Sequence, residues 1–313
     1  MREPVFVGGT GRSGTSRMNK VLGSHRDVHA IHWESRFIVD PGGLEDAARV
    51  LTIGYEPYAA DDALRRLAFL LGRRVSGRSM EAFRGWGLVD ELGPDRYWAA
   101  VDELFAALTW YEFHERVPQG PHQERHLPGE AKVNRRVVGR YFADRGELLA
   151  ILRRFVSALF EPVTVAAGKT TWVEKTPFNV LSVPFLWELY PGARFVHMIR
   201  DPLSVVASHL HQPWAPRTLD DVVSWVEPVY RRLLDQRPAL AADPRYIELR
   251  LEDAAADWPA ERLRLLDHLG LPDDPAMLGF DTGPVRHRDD QLSADDRRRV
   301  LDRLSDVRDE LGY

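Results

Sequence analysis

The chain is predicted to be an α/β protein: a parallel sheet flanked by helices that carries a phosphate-binding loop, with a mostly helical lobe inserted in it. Three observations lead there. The run Val5-Phe6-Val7-Gly8-Gly9-Thr10-Gly11-Arg12-Ser13-Gly14-Thr15-Ser16 passes from an apolar strand through a glycine-rich turn into a helix, which is how a chain cradles phosphate. Beyond residue 170, strand-like and helical runs alternate, which implies parallel strands covered on both faces. Between 44 and 160 that alternation pauses: Leu64, Leu67, Leu70 and Leu71 share one helical stripe, and Leu148, Leu152, Phe155 and Leu159 another.

In chain order, a strand at 5–8 is followed by the loop and a helix over 16–22, then a short strand over 27–32 ending at Trp33-Glu34. The 44–160 block is expected to be one insertion in a single 1–313 domain, with loops where proline and glycine break the pattern at 117–122 and 127–129. Strands are expected at 171–175, 194–199 and 246–249, and helices at 180–190, from Pro202, and at 219–234. Ser293-Ala294-Asp295-Asp296 starts a last helix in the manner of a capping box, with Val300, Leu304, Val307 and Leu311 as its buried stripe.

At 313 residues and 44% hydrophobic, the chain is long and apolar enough for a large core. Its net charge of -5 argues against nucleic acid or an anionic membrane as partner, since these require basic surface in bulk. Any anion is therefore held locally. Lys20, Lys132, Lys169 and Lys175 are the only lysines, so 38 of the 42 basic residues are arginine and a well-placed lysine is the sharper clue. Without cysteine there is no disulfide, thiolate metal site or cysteine nucleophile. Met1-Arg2-Glu3-Pro4 runs straight into the first strand, which leaves no room for a signal peptide, and no apolar run approaches the ~20 residues that span a bilayer. A cytoplasmic enzyme is expected.

Against the nucleotide-triphosphatase pattern G-x-x-x-x-G-K-[ST], Gly9, Gly14 and Ser16 are in register, but Thr15 stands where lysine grips phosphate. The frame is P-loop-like without its cation; Arg12 adds a forked one inside the turn. Here the sequence resembles the sulfotransferases that use 3'-phosphoadenosine 5'-phosphosulfate (PAPS), especially the tyrosylprotein-sulfotransferase-like branch and its bacterial relatives. The resemblance implies that Gly11, Arg12, Ser13, Gly14, Thr15 and Ser16 hold the 5'-phosphosulfate, with Arg12 also serving catalysis.

Further matches extend the resemblance to about half the chain. In Phe195-Val196-His197-Met198-Ile199-Arg200-Asp201-Pro202, Asp201 and Pro202 suit helix initiation. Helix initiation does not account for Arg200 at a strand's carboxyl end or for Ser208 two turns on, and a guanidinium with a hydroxyl suits a phosphate monoester. In the family this is the 3'-phosphate site. By the same resemblance Glu34, followed two residues later by Arg36, is the catalytic base, with His32 as the alternative, and Lys175 in Glu174-Lys175-Thr176-Pro177 reaches the transferring group. An ion pair of Lys175 with Glu174 is the structural alternative. Arg286 and Arg288 match a basic loop over the cofactor phosphates. Leu251 stands where relatives often carry a tyrosine beside the adenine. His25, His29 and His32, or His122 and His126, have metal-like spacing but no accompanying HExxH or carboxylate arrangement, so no metal is expected.

The resulting expectation is a metal-independent O-sulfotransferase that moves a sulfuryl group from PAPS to the hydroxyl of a small natural product, glycoside or phenol and releases PAP. The inserted lobe would cover the acceptor site, and Trp86, Trp98, Trp110, Tyr111 and Phe113 are candidate lining residues. The oligomeric state stays open, a homodimer included. A P-loop kinase using ATP and a nucleotide-binding scaffold without catalysis are the rivals; Thr15 speaks against the first, and Glu34 with Lys175 against the second.

Overall fold

A computed structural model describes residues 1–73, 85–116, 133–278 and 288–313. Two compact units emerge: Met1–Glu34 with Glu161–Tyr313, and Ser35–Phe160. The strands are β1 Val5–Gly8, β2 Val28–Ala30, β3 Thr109–Arg116, β4 Val133–Gly139, β5 Thr171–Lys175, β6 Arg194–Ile199 and β7 Tyr246–Arg250.

In the first unit β2, β5, β1, β6 and β7 lie side by side in that order, all parallel. Alternate residues of β1 feed opposite faces, as the two-residue period of a strand requires. Val5 and Val7 join Met18 and Leu22 of the helix Thr15–Ser24, together with Val173, Val196 and Leu249, in one buried cluster. Phe6 points the other way and meets Trp172 edge-on at 5.6 Å. Because β1 is central, the residues that follow β5 and β6 flank the loop that follows β1. That common carboxyl edge is where open parallel sheets bind ligands.

Two polar ties hold the loop helix in place. Asn19 Nδ2 donates to the Ile31 carbonyl at 2.8 Å, and Ile31 N donates to the Val173 carbonyl at 2.9 Å, which carries the β2 pairing one residue past the strand toward Glu34. Lys169 Nζ donates to the carbonyls of Gly23, His25 and Val28 at 3.2, 2.7 and 2.9 Å, so an ammonium covers the negative end of the Thr15–Ser24 helix.

The second unit contains the helices Leu44–Val50, Pro57–Leu70, Trp86–Leu92 and Pro94–Leu108, and most of the helix Arg145–Ala166. Leu64, Leu67, Leu71, Leu148, Leu152, Phe155 and Leu159 are buried, as the two stripes predict, whereas Leu70 is only partly buried. The antiparallel hairpin of β3 and β4 departs from the mostly helical expectation for this stretch. Its aromatic and β-branched residues favour strand, and buried Asp61 secures it by accepting from Val137 N at 2.8 Å and from Arg136 Nη1 at 2.7 Å. The loops expected at 117–122 and 127–129 lie outside the described residues.

The helix expected over 16–22 runs Thr15–Ser24 and the last strand reaches Arg250, and three other elements differ more. The second strand is shorter, at Val28–Ala30. The helix expected at 180–190 is a 3-10 turn Pro177–Leu181 followed by the helix Val183–Leu189, because Pro184 lacks an N–H and starts a helix rather than continuing one. The helix predicted to end at 234 runs over Leu219–Ala241, through Pro238. Its far end is held by buried Leu240 and by Arg237, which donates to Glu248 at 2.9 and 2.8 Å.

Candidate functional site

The glycine-rich loop after β1 is set by backbone conformation. Gly11, Arg12 and Gly14 all have positive φ, at 76°, 57° and 96°, a left-handed state that glycine adopts freely and arginine rarely does. Gly9 has no room for a side chain: a Cβ there would lie 2.6 Å from the Met198 carbonyl oxygen and would clash with Ser13 Oγ. Gly14 caps the helix without any side-chain hydrogen bond, so the first N–H groups of the helix are not satisfied by a capping side chain. Ser13 Oγ is fully buried and makes no hydrogen bond among the described residues. A turn of left-handed residues opening onto an uncapped helix start, with an unpartnered hydroxyl inside it, fits a phosphate or sulfate group. Thr15 is buried, and Ser16 is exposed on the first turn.

Arg200 and Ser208 lie at this loop. Arg12 Nε donates to Ser208 Oγ at 3.1 Å, and Arg200 Nη1 donates to the Arg12 carbonyl at 2.9 Å. Thus residues almost 200 positions apart form one cluster of two guanidiniums and a hydroxyl. Asp201 caps the helix Pro202–His209 by accepting from Leu203 N at 2.9 Å, as the Asp-Pro pair predicts. It also accepts from Arg308 at 2.8 and 3.0 Å, a partner that the local sequence does not reveal.

On the other side of β1, Lys175 closes β5 and donates to Glu34 Oε1 at 2.8 Å; its side chain is 7% exposed against 37% for Glu34. The alternative pairing with Glu174 does not occur. Successive strand residues face opposite ways, and Glu174 is buried on the other face, where it accepts from Thr176 Oγ1 and Asn179 Nδ2, both at 2.7 Å. His32 is exposed. Arg36 has a φ of 55° and pairs with Asp40 at 2.7 Å within the second unit.

Several residues supporting the loop are not evident from sequence. Thr10 Oγ1 lies 3.3 Å from the hydroxyl of Tyr230, whose ionisation burial pushes far up. His209, next to Ser208, is 1% exposed and packs 3.6 Å from the position of a Gly11 Cβ, boxed edge-on by Trp225 at 4.7 Å and Trp214 at 5.5 Å. Burial, then the charge of Arg12, lowers its pKa to about 4, so the ring is neutral. Behind the sheet, Tyr246 Oη sits 2.6 Å from His197 Nδ1. Burial alone would raise Glu248, but bonds from His197 and Arg237 bring it down to about 2.

Leu251 packs on the loop, its Cδ1 2.8 Å from where a Gly14 Cβ would be, and is buried. Leu251, which replaces the tyrosine of many relatives, thus backs the glycine-rich turn. Trp110, Tyr111 and Phe113 are exposed on β3, and Trp98 meets Tyr97 edge-on at 5.0 Å. The side chain of Trp86, Arg286 and the side chain of Arg288 lie outside the described residues. His25 is tied to the Pro272 carbonyl and to Asp27 N, both at 2.9 Å. Among the described residues no group of three or more histidine, aspartate or glutamate side chains could hold a metal, and no helix is long and apolar enough to cross a membrane.

Comparison with known proteins bears on the fold and the family. Of solved structures, the sulfotransferase domain of the Synechococcus PCC 7002 olefin synthase superposes with a TM-score of 0.53 over 100% of this chain and 96% of its own, at 17% identity. The sulfotransferase domain from the curacin biosynthetic pathway gives 0.50 over 97% and 98%, at 12% identity. At these identities the likeness is one of fold. In sequence, the omega-hydroxy-beta-dihydromenaquinone-9 sulfotransferase Stf3 of Mycobacterium tuberculosis is 31% identical over 183 residues, 53% of this chain and 47% of that protein. The nodulation protein NoeE of Sinorhizobium fredii is 28% identical over 148 residues, 47% of this chain and 32% of its own. The matched region thus spans about half the length of Stf3 and a third of NoeE. The sequence pattern of the Sulfotransferase family matches residues 4–275, and with a match over most of its length the chain belongs to that family.

Proposed function

We propose that the protein is a PAPS-dependent O-sulfotransferase acting on the hydroxyl of a small, largely apolar acceptor. The observation that carries this reading is the convergence of Arg12, Arg200 and Ser208 on one edge of the sheet, with the Lys175–Glu34 pair on the neighbouring strand. PAPS supplies a sulfuryl group activated by its link to the 5'-phosphate, and PAP remains after transfer. The loop from Gly11 to Ser16, with Arg12, would hold the 5'-phosphosulfate, and Arg200 with Ser208 the 3'-phosphate. Lys175 places a buried ammonium where negative charge grows during transfer, so it favours the transition state over the ground state. With Oε1 engaged by Lys175, Glu34 receives the acceptor's proton on Oε2. Arg286 and Arg288 are carried only by the resemblance.

The name of Stf3 specifies an omega-hydroxylated dihydromenaquinone, an apolar molecule bearing a hydroxyl. That supports an apolar acceptor here. The test incubates the protein with PAPS and a panel of phenols, glycosides and ω-hydroxylated apolar chains while PAP release is followed. Acceptor-dependent PAP release without added metal is expected. Magnesium-dependent ATP consumption with no PAP release would instead identify a kinase.

A further inference from the structure

Asp201 is held more firmly than helix initiation requires. One bond, from Leu203 N, suffices for a cap. Arg308 of the helix Ala294–Glu310 adds a two-pronged grip on the same carboxylate, Nε to Oδ1 at 2.8 Å and Nη2 to Oδ2 at 3.0 Å. The backbone N–H of Asp201 donates to Glu252 Oε1 at 3.2 Å, and Glu252 Oε2 accepts from the Tyr313 hydroxyl at 2.7 Å. The Arg250 guanidinium lies 4.0 Å over the Tyr313 ring. The side chain of Asp201 is therefore clamped from the last helix, more than 100 residues on, and its main chain by Glu252, which Tyr313 of the tail holds in turn.

Asp201 adjoins Arg200, whose guanidinium reaches the Arg12 carbonyl while Arg12 reaches Ser208. A small backbone rotation at Asp201 would swing the long Arg200 side chain off that cluster. Bidentate arginine–carboxylate pairs fix direction as well as contribute energy, which is what such a lever needs.

We infer that Arg308, aided by Glu252 and Tyr313, is a positioning residue of the anion cluster: by clamping Asp201 it aims Arg200, and so sets how strongly the site prefers a ribose 3'-phosphate over a free 3'-hydroxyl. This rests on reading Arg200 and Ser208 as the 3'-phosphate site. Arg308 grips Asp201 and acts through it on Arg200.

The test is calorimetric titration of the full chain with PAP and with AMP, for wild type, Arg308→Ala, Arg200→Ala and the double variant. Arg308→Ala is expected to weaken PAP binding roughly 5- to 30-fold and AMP less than about 2-fold. In the Arg200→Ala background it should add less than about 2-fold, because the group it aims is gone. Should Arg308→Ala not fold, Tyr313→Phe removes a single hydroxyl and is expected to give a smaller loss, roughly 2- to 5-fold, for PAP alone. Wild type binding PAP and AMP equally would overturn the 3'-phosphate reading itself. A wild type that prefers PAP, with variants that keep the full preference, lose both ligands alike, or add their loss to that of Arg200→Ala, would overturn the positioning role and leave that reading intact.

Discussion

Glu34→Gln separates proton acceptance from every other role of that side chain. Glutamine has the size of glutamate and its amide oxygen can still accept from Lys175 Nζ, which lies 2.8 Å from Oε1 in the wild type. What it cannot do is take a proton at neutral pH. Glu34 is 37% exposed and its amide replacement still accepts from buried Lys175, so the loss of stability should stay below the roughly 3–5 kcal/mol of breaking a fully buried pair, and PAP affinity should hardly change. Turnover should fall by roughly 10²–10⁴, about 3–5 kcal/mol of barrier, the usual worth of a positioned general base. Lys175→Ala should lower turnover by roughly 10²–10³ with a smaller effect on PAPS binding, since its charge is needed mainly during transfer. Because Lys175 also orients Glu34, the double variant should lose less than the product of the single losses. The assay is PAP release at saturating PAPS and acceptor, beside calorimetric PAP affinities. Full turnover by Glu34→Gln together with an inactive His32→Ala would move the base to His32. An unimpaired Lys175→Ala would reduce the pair to a structural tie.

Three further outcomes are expected. The Arg200→Ala, Ser208→Ala double variant should lose several hundredfold in PAP affinity, at roughly 1.5–3 kcal/mol per charge-assisted contact, yet bind AMP about as the wild type does; calorimetry showing parallel losses would contradict this. His209 has a pKa depressed to about 4 by burial and then Arg12, so the unfolded chain binds its proton first as pH falls below about 6.5. Stability should decline between about pH 6.5 and 4, His209 contributing up to about 3 kcal/mol, with buried His197 and half-buried His268 acting in the same direction. In urea unfolding across that range His209→Gln should show a shallower decline, and an unchanged slope would argue against it. Gly9→Ala would press a methyl against the Met198 carbonyl at 2.6 Å, so about 1–3 kcal/mol of stability and most PAP binding should be lost, as thermal melting and calorimetry would show.

Local pattern carried the ingredients. Strand, glycine turn and helix over 5–16, the Asp-Pro helix start at 201–202, and the Ser293 cap with its buried Val300, Leu304 and Val307 follow from dihedral freedom, capping chemistry and helical period, which act over a few residues. The strand-like aromatics of β3 were also legible by composition, but the helical stripes around them dominated that stretch. Tertiary structure decided the partners. Neighbouring residues fixed neither the choice of Glu34 over Glu174 as partner of Lys175, nor the contact of Arg12 with Ser208, nor the clamp of Arg308 on Asp201. Those pairings depend on β1 lying between β5 and β6 and on helices far along the chain reaching the same edge. Sequence sets what each segment prefers by itself, whereas strand order and packing set which distant charges come within hydrogen-bonding distance.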